Sequence, residues 1–208
     1  MNDEFKVPFL KPEFIEEKAN DTLRDLHAEL FPPVNIERIV EIRLRIRIIP
    51  LPNVRALIGV DGFISNNLQT ITIDEQLIDP RRSNDNRYRF TLAHELGHRV
   101  LHGDLIRKLK FNDCIEWKAL YLSLPPKELD WFNTHAQWFS GHLLMPRTKF
   151  VENHDKIWRE LAGEGHSFED DRDGFRDLLI KRLSKRFLVS EGAVHRRLSF
   201  IAPPIPKI

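Results

Sequence analysis

The chain has 208 residues, enough for one sizeable core or one domain with a small appendage. Hydrophobic residues make up 41% and charged residues 30%, and the net charge of +1 excludes a strong global pull towards nucleic acid or anionic lipid. Cys114 is the single cysteine, which excludes an internal disulfide and a cysteine-based metal cluster.

The acidic start, Met1 to Lys6, lacks the apolar run of a secretory signal. No stretch approaches the ~18 apolar residues of a membrane span, so the expectation is a soluble, cytoplasmic protein. Residues 12–30 read as a helix with Phe14, Ile15, Leu23, Leu26 and Leu30 on roughly one face, ended by Pro32-Pro33. A short helix from about Asn35 follows, striped by Ile36, Ile39 and Val40. Residues 42–49 alternate strictly and predict a strand. Two more strands are expected near 55–60 and 69–74, with Asp61-Gly62 as a turn, giving a small, largely antiparallel sheet.

Residues 79–88 are polar and predict an exposed loop. A helix is expected from about Tyr88 to His102, ending at Gly103, and another from about Lys127 to Leu144, stopped by Pro146. Beyond 150 the chain reads as helices and loops, with an acidic surface connection from Gly163 to Gly174 and a proline-rich tail that cannot be helical.

The sequence His94-Glu95-Leu96-Gly97-His98 carries the chemistry. Histidines four apart on a helix lie about 40° apart around its axis and about 6 Å along it, so both imidazoles can reach one ion. Glu95 is turned about 100° away, placed to hold a water on that ion rather than to join its ligands. That is the division of labour of a metal hydrolase: the metal acidifies water, and the carboxylate takes its proton and passes it to the leaving amine. With nine histidines in the chain the bare pattern arises by chance in roughly 3 of 100 such sequences, so context matters. Phe90, Leu92, Ala93, Leu96, Val100 and Leu101 surround the pair with apolar residues, and two unpaired imidazoles on a buried helix would be costly. Gly97, at a cost of ~1 kcal/mol against Ala, points to a close backbone such as a sheet edge.

A catalytic zinc needs a third protein ligand. His102 sits about 12 Å along the helix from His94, too far to converge with both. Leu101 and Asp104 stand where a metzincin needs Gly and His. His135 is the better candidate, beside the stripe Phe132, Ala136, Phe139 and Leu143; His142 is its rival, and Glu116, Glu128 and Asp130 are outside chances. Spacing alone leaves His135 open between a ligand and a core histidine bonded to backbone.

The sequence resembles the ImmA/IrrE family of metallopeptidases. The resemblance lies in Arg89 to His98 with Leu101-His102-Gly103-Asp104 after them, and in His135 to Pro146, where the family usually shows Glu-Ala-Asn-x-Phe-Ala-x-x-Leu-Leu-Met-Pro. Pro33-Val34 and Phe187-x-Val189-Ser190 leading to Arg197-Leu198 extend it over most of residues 32–200. It implies a zincin-like, minigluzincin-type α+β fold with a small antiparallel sheet on a mainly helical core. It implies one Zn2+ per chain on His94, His98 and the residue opening the second block, His135, where an imidazole replaces the family's acid. It implies Glu95 as general base and then general acid, and a helix-turn-helix repressor as protein substrate, whose cleavage releases stress-response or transfer genes. The expected division is an N-terminal helix (1–31), a zinc metallopeptidase domain (32–150) and a C-terminal helical region (151–208).

Residues 177–199 also read as a helix-turn-helix, Asp177 to Phe187 and Gly192 to Ser199, with Ser190 as N-cap. Lys181, Arg182, Lys185, Arg186, Arg196 and Arg197 make it basic, so DNA contact competes with a solvated helix face. A third reading is an interaction module with a degenerate, non-catalytic metal site. Arg89 and His102 are conceivable oxyanion partners, against plainer roles as a helix-start arginine and a histidine bonded to the second helix.

Overall fold

A computed structural model describes residues 5–28, 30–78 and 85–201. The start Met1–Glu4, most of the loop expected at 79–88 and the proline-rich tail lie outside the described residues. Pro12, whose missing N–H is no loss at a helix start, opens α1 (Pro12–Asp25), which buries Ile15, Ala19 and Leu23.

The strand expected over 42–49 forms only in part. Arg38–Arg43 winds as a π-helix that buries Ile39 and Val40 and leaves Ile42 in solvent, and β1 is Arg47–Leu51. The strand expected near 55–60 is instead α2 (Val54–Ile58). Its first turn is capped from across the fold, where Asp74 Oδ2 accepts from the Arg55 backbone N–H at 2.8 Å, a partner no local pattern reveals. Gly59, at φ +80°, ends it. β2 (Gly62–Ile64) begins where a turn is expected, and β3 (Thr70–Asp74) falls as the alternation predicts. The sheet order is β1-β3-β2, with β1 parallel and β2 antiparallel to β3. It is therefore mixed, because the chain crosses through α2 and β2 before returning beside β1.

The helices follow: α3 (Asp85–Ile106), α4 (Cys114–Ser123), α5 (Pro126–Leu144), α6 (Arg147–Gly163), α7 (Arg172–Phe187) and α8 (Glu191–Ser199). α4 has no counterpart in the sequence reading, and α7 starts inside the segment expected as a surface connection. Ser190 caps α8 as expected, accepting from the Ala193 N–H. One apolar cluster joins α1, the sheet, α3 and α5 to α8, so the three segments read from sequence share a core. The architecture is α+β. No described helix is long and apolar enough to cross a membrane.

Candidate metal centre

α3 is buried on most of its circumference. Leu92, Ala93 and Leu96 meet the core, and Glu95, His98 and His102 are buried as well. Polar groups in such a helix need partners. His94, which borders a cleft, and His98 find each other: their Nε2 atoms are 3.0 Å apart. The donor atoms of His94, Glu95 and His98 all lie within 4.8 Å of one another.

This geometry fits a metal ion. Two imidazole nitrogens each about 2.1 Å from one ion stand about 3.4 Å apart at a tetrahedral angle and about 3.0 Å apart near a right angle, so the observed pair is within a few tenths of an ångström of ligand spacing. Burial pushes His94 down to about 4, against a hydrogen bond to Asn133, and pushes His98 well below the ordinary histidine value, helped by His94, His102 and His135. Both rings are neutral at pH 7, the form that ligates. Burial also lifts Glu95 to about 8, with Asp61 adding to the rise and a backbone hydrogen bond at Ile64 opposing it.

The cleft has a volume of about 490 Å³. Its walls are the β2 edge (Gly62, Phe63, Ile64), Trp117 and Tyr121 of α4, and Asp130, Asn133 and Gln137 of α5. Phe63 and Trp117 stack at 5.8 Å and brace the far wall. A Cβ on Gly62 would stand 2.7 Å from the Thr72 carbonyl and 3.1 Å from Thr91 Cγ2, so a glycine is what lets β2 lie against both β3 and α3. Gly97 serves a different neighbour from the sheet edge its sequence suggests. A Cβ there would meet Ala136 Cα and Phe139 Cδ1, each at 3.1 Å, so it marks the crossing of α3 and α5.

That crossing also sets where His135 lies. The structure does not bring His135 to the His94–His98 pair. His135 Nδ1 faces His102 Nε2 at 3.3 Å, and His102 Nδ1 faces His98 Nδ1 at 3.3 Å, so His135 is two rings removed. The physical reason is helical phase. Phe132, Ala136, Phe139 and Leu143 press on α3; His135 and His142 lie on one flank of that stripe, Asn133 and Gln137 on the other. The second flank opens on the cleft. Asn133 donates to the Tyr121 hydroxyl at 2.8 Å, leaving its amide oxygen as the acceptor for His94. Its position one turn before Gln137 is the only sequence signal that could have found it.

The other candidates fall elsewhere. His142 is bound into a buried group with Arg197 and Glu16. Glu116 accepts from Asn112, and Glu128 accepts from the Val7 N–H; Asp130 lines the cleft. Arg89 donates to the carbonyls of Val34 and Leu188, tying the start of α3 to two loops. In the basic segment, Arg197 is 2% exposed and donates to Met145 O, His142 and Glu16. Arg182 pairs with Glu164 and Arg186 with Asn153. The surface expected to meet DNA therefore loses its arginine at 197 to the interior.

A buried helix presenting two histidines and a glutamate to a cleft, beside the edge of a small sheet, defines a zincin-like α+β domain. Residues 76–199 match the family model described as the IrrE N-terminal-like domain, peptidase M78, and the chain belongs to that family. The match runs across the boundary expected at residue 150 and takes in α7 and α8. No curated protein matches the sequence. Among solved structures, a Mycobacterium tuberculosis transcriptional regulator is similar in fold, with TM-score 0.53 and 16% identity over 92% of this chain and 48% of that one. This chain thus spans about half the length of that regulator.

Proposed function

We propose that this protein is a zinc-dependent endopeptidase of the cytoplasm that cleaves a regulatory protein, with a helix-turn-helix repressor as its substrate class. The observation that carries this is the 3.0 Å approach of His94 Nε2 and His98 Nε2 with the Glu95 carboxylate beside them. Membership of a metallopeptidase family supports the reaction. A fold shared with a transcriptional regulator supports the setting.

His94 and His98 would hold one ion per chain, and Asn133 would orient His94 through its amide oxygen. A bound zinc would supply an acidified water and a polarised substrate carbonyl. Glu95, ionised beside that charge, takes the water proton on its carboxylate and returns it to the departing amine. β2, an edge strand of the sheet among the described residues, lines the cleft and offers backbone groups to an extended peptide, which suits a scissile segment drawn out of a protein. Burial of Glu95 and His98 limits competing water.

One observation favours a second reading. Beside His94 stands an amide, Asn133, and among the described residues the only group of three close donors is His94, Glu95 and His98. Such a centre suits a regulatory module that binds metal without hydrolysis. Co-expression with helix-turn-helix proteins from neighbouring genes separates the two. The peptidase reading expects one partner to be cut by the wild type and left whole by Glu95→Gln, which keeps its zinc. Intact partners in both, with zinc bound, would establish the regulatory reading instead.

A further inference from the structure

Four imidazoles stand in a row through the interior, His94, His98, His102 and His135, joined at 3.0, 3.3 and 3.3 Å. The last three are buried, and Phe132 lies flat on His98 with ring centres 3.9 Å apart, keeping water from the row. The row ends at His135 Nε2, which has no hydrogen-bond partner among the described residues.

A neutral imidazole carries one proton, so each ring offers one donor and one acceptor. An ion on His98 Nε2 uses the lone pair there and leaves the proton on Nδ1. That proton points at His102 Nδ1, which must accept, so His102 carries its own proton on Nε2. His102 Nε2–H in turn points at His135 Nδ1, and His135 is left with Nε2–H. Metal ligands commonly fix their tautomer by donating to a carboxylate or carbonyl; here the acceptor is a second ring backed by a third. Without an ion the row can run in the opposite sense, each ring still holding one proton. That sense leaves His135 Nε2 a bare lone pair, which a buried site tolerates better than an orphaned N–H.

We propose that His102 and His135 are positioning residues that, once an ion is bound, hold His98 through a row of hydrogen bonds of a single sense in the tautomer that offers Nε2 to the metal. The proposal rests on the metal-centre reading above. It also gives His135 a role that requires no contact with the ion.

The test uses the whole chain, zinc alone as the probe, a competing chelator for affinity and nitrogen-15 NMR of the histidine rings. In the zinc-loaded wild type, His98 carries its proton on Nδ1, and His102 and His135 carry theirs on Nε2. His102→Phe weakens zinc about 10–100-fold. His135→Glu, whose carboxylate can only accept from His102, fixes the row in the metal-binding sense and tightens zinc, on the order of 10-fold. A merely structural role would not move affinity in opposite directions. A proton on Nδ1 of His135 in the zinc-loaded wild type overturns the proposal, and this reading needs no variant to fold. So does a ring nitrogen of His135 shifted by direct zinc contact, or wild-type affinity in a folded His102→Phe. In those cases zinc still binds and the metal centre stands; a wild type that binds no zinc removes both.

Discussion

His135 and His142 lie two turns apart on one flank of α5, and both are buried with an Nε2 that has no partner among the described residues. Their surroundings are opposite. His135 sits among neutral groups: His102, Trp131 and Trp138. His142 sits among charges, with the Arg197 guanidinium donating to it and Glu16 at 3.5 Å. Arg197 also binds Glu16 and the Met145 carbonyl, and Arg147 approaches Glu16 at 3.6 Å. At one end, towards the His94–His98 pair, α5 brings the acid Asp130 to the cleft, which suits a cation's charge. The other end spends its charges on one another and clamps α1, α5 and α8.

The sharpest way to break this comparison is Arg197→Ala. It removes a buried cation that serves three acceptors and leaves Glu16 without its main charge partner. Urea denaturation should show a loss of about 3–5 kcal/mol, while zinc affinity of the folded protein changes less than about twofold. A parallel fall in affinity would mean the two ends are coupled. Next in size, zinc at a hundred times its Kd should stabilise the wild type by about 2.7 kcal/mol, and that gain should vanish in His94→Ala. Smaller again, Gly97→Ala forces a methyl against Ala136 and Phe139 at the crossing of α3 and α5. The strain outweighs the helix preference of alanine, for a net loss of about 1–2 kcal/mol by the same denaturation.

Sequence reasoning reaches the pair at 94 and 98 because an i, i+4 spacing is fixed by the helix itself. It reaches α5 and the N-cap Ser190 for the same reason: both are local. It places His135 in the site, and the structure does not, because periodicity shows which stripe of α5 is apolar but treats its two flanks alike. Only the packing of α5 against α3, β2 and α4 opens the Asn133 flank to the cleft. The α2 turn is hidden in a similar way, its cap being Asp74 from another element. Arg197 looks like a surface cation until Glu16, 181 residues away in sequence, is brought to it. What was legible was set within a turn or two; what was missed was set by contacts across the chain.

The smallest prediction separates the two ends of α5 by pH. In the zinc-free protein, His94 falls to about 4 through burial, and His98, His102 and His135 are also lowered. The unfolded chain binds protons on these rings below its ordinary value of 6.5 and the folded one resists, so their contribution is complete above 6.5 and declines as pH falls towards 4. At the clamped end, Glu16 is held at about 2 against an ordinary 4.5, by its contact with His142 and by the Arg197 guanidinium. Its stabilisation is complete above 4.5 and is lost as pH falls to about 2, an effect on the order of 1–2 kcal/mol once screening of this partly open carboxylate is allowed for. Between 6.5 and 4.5 Glu95, lifted to about 8, opposes the histidines because the folded chain takes up its proton first, while His142 at the clamped end adds to them. Stability measured in urea from pH 7 to 2 should therefore fall in two stages, the early one the shallower. Zinc should suppress the part of the early stage that belongs to His94 and His98, since bound rings cannot take up protons, and should leave the late stage unchanged. Glu16→Gln is less stable at neutral pH, and its deficit should narrow only below pH 4.5. A deficit that narrows between 6.5 and 4.5 instead would place the titrating group among the histidines and dissolve the contrast between the two ends.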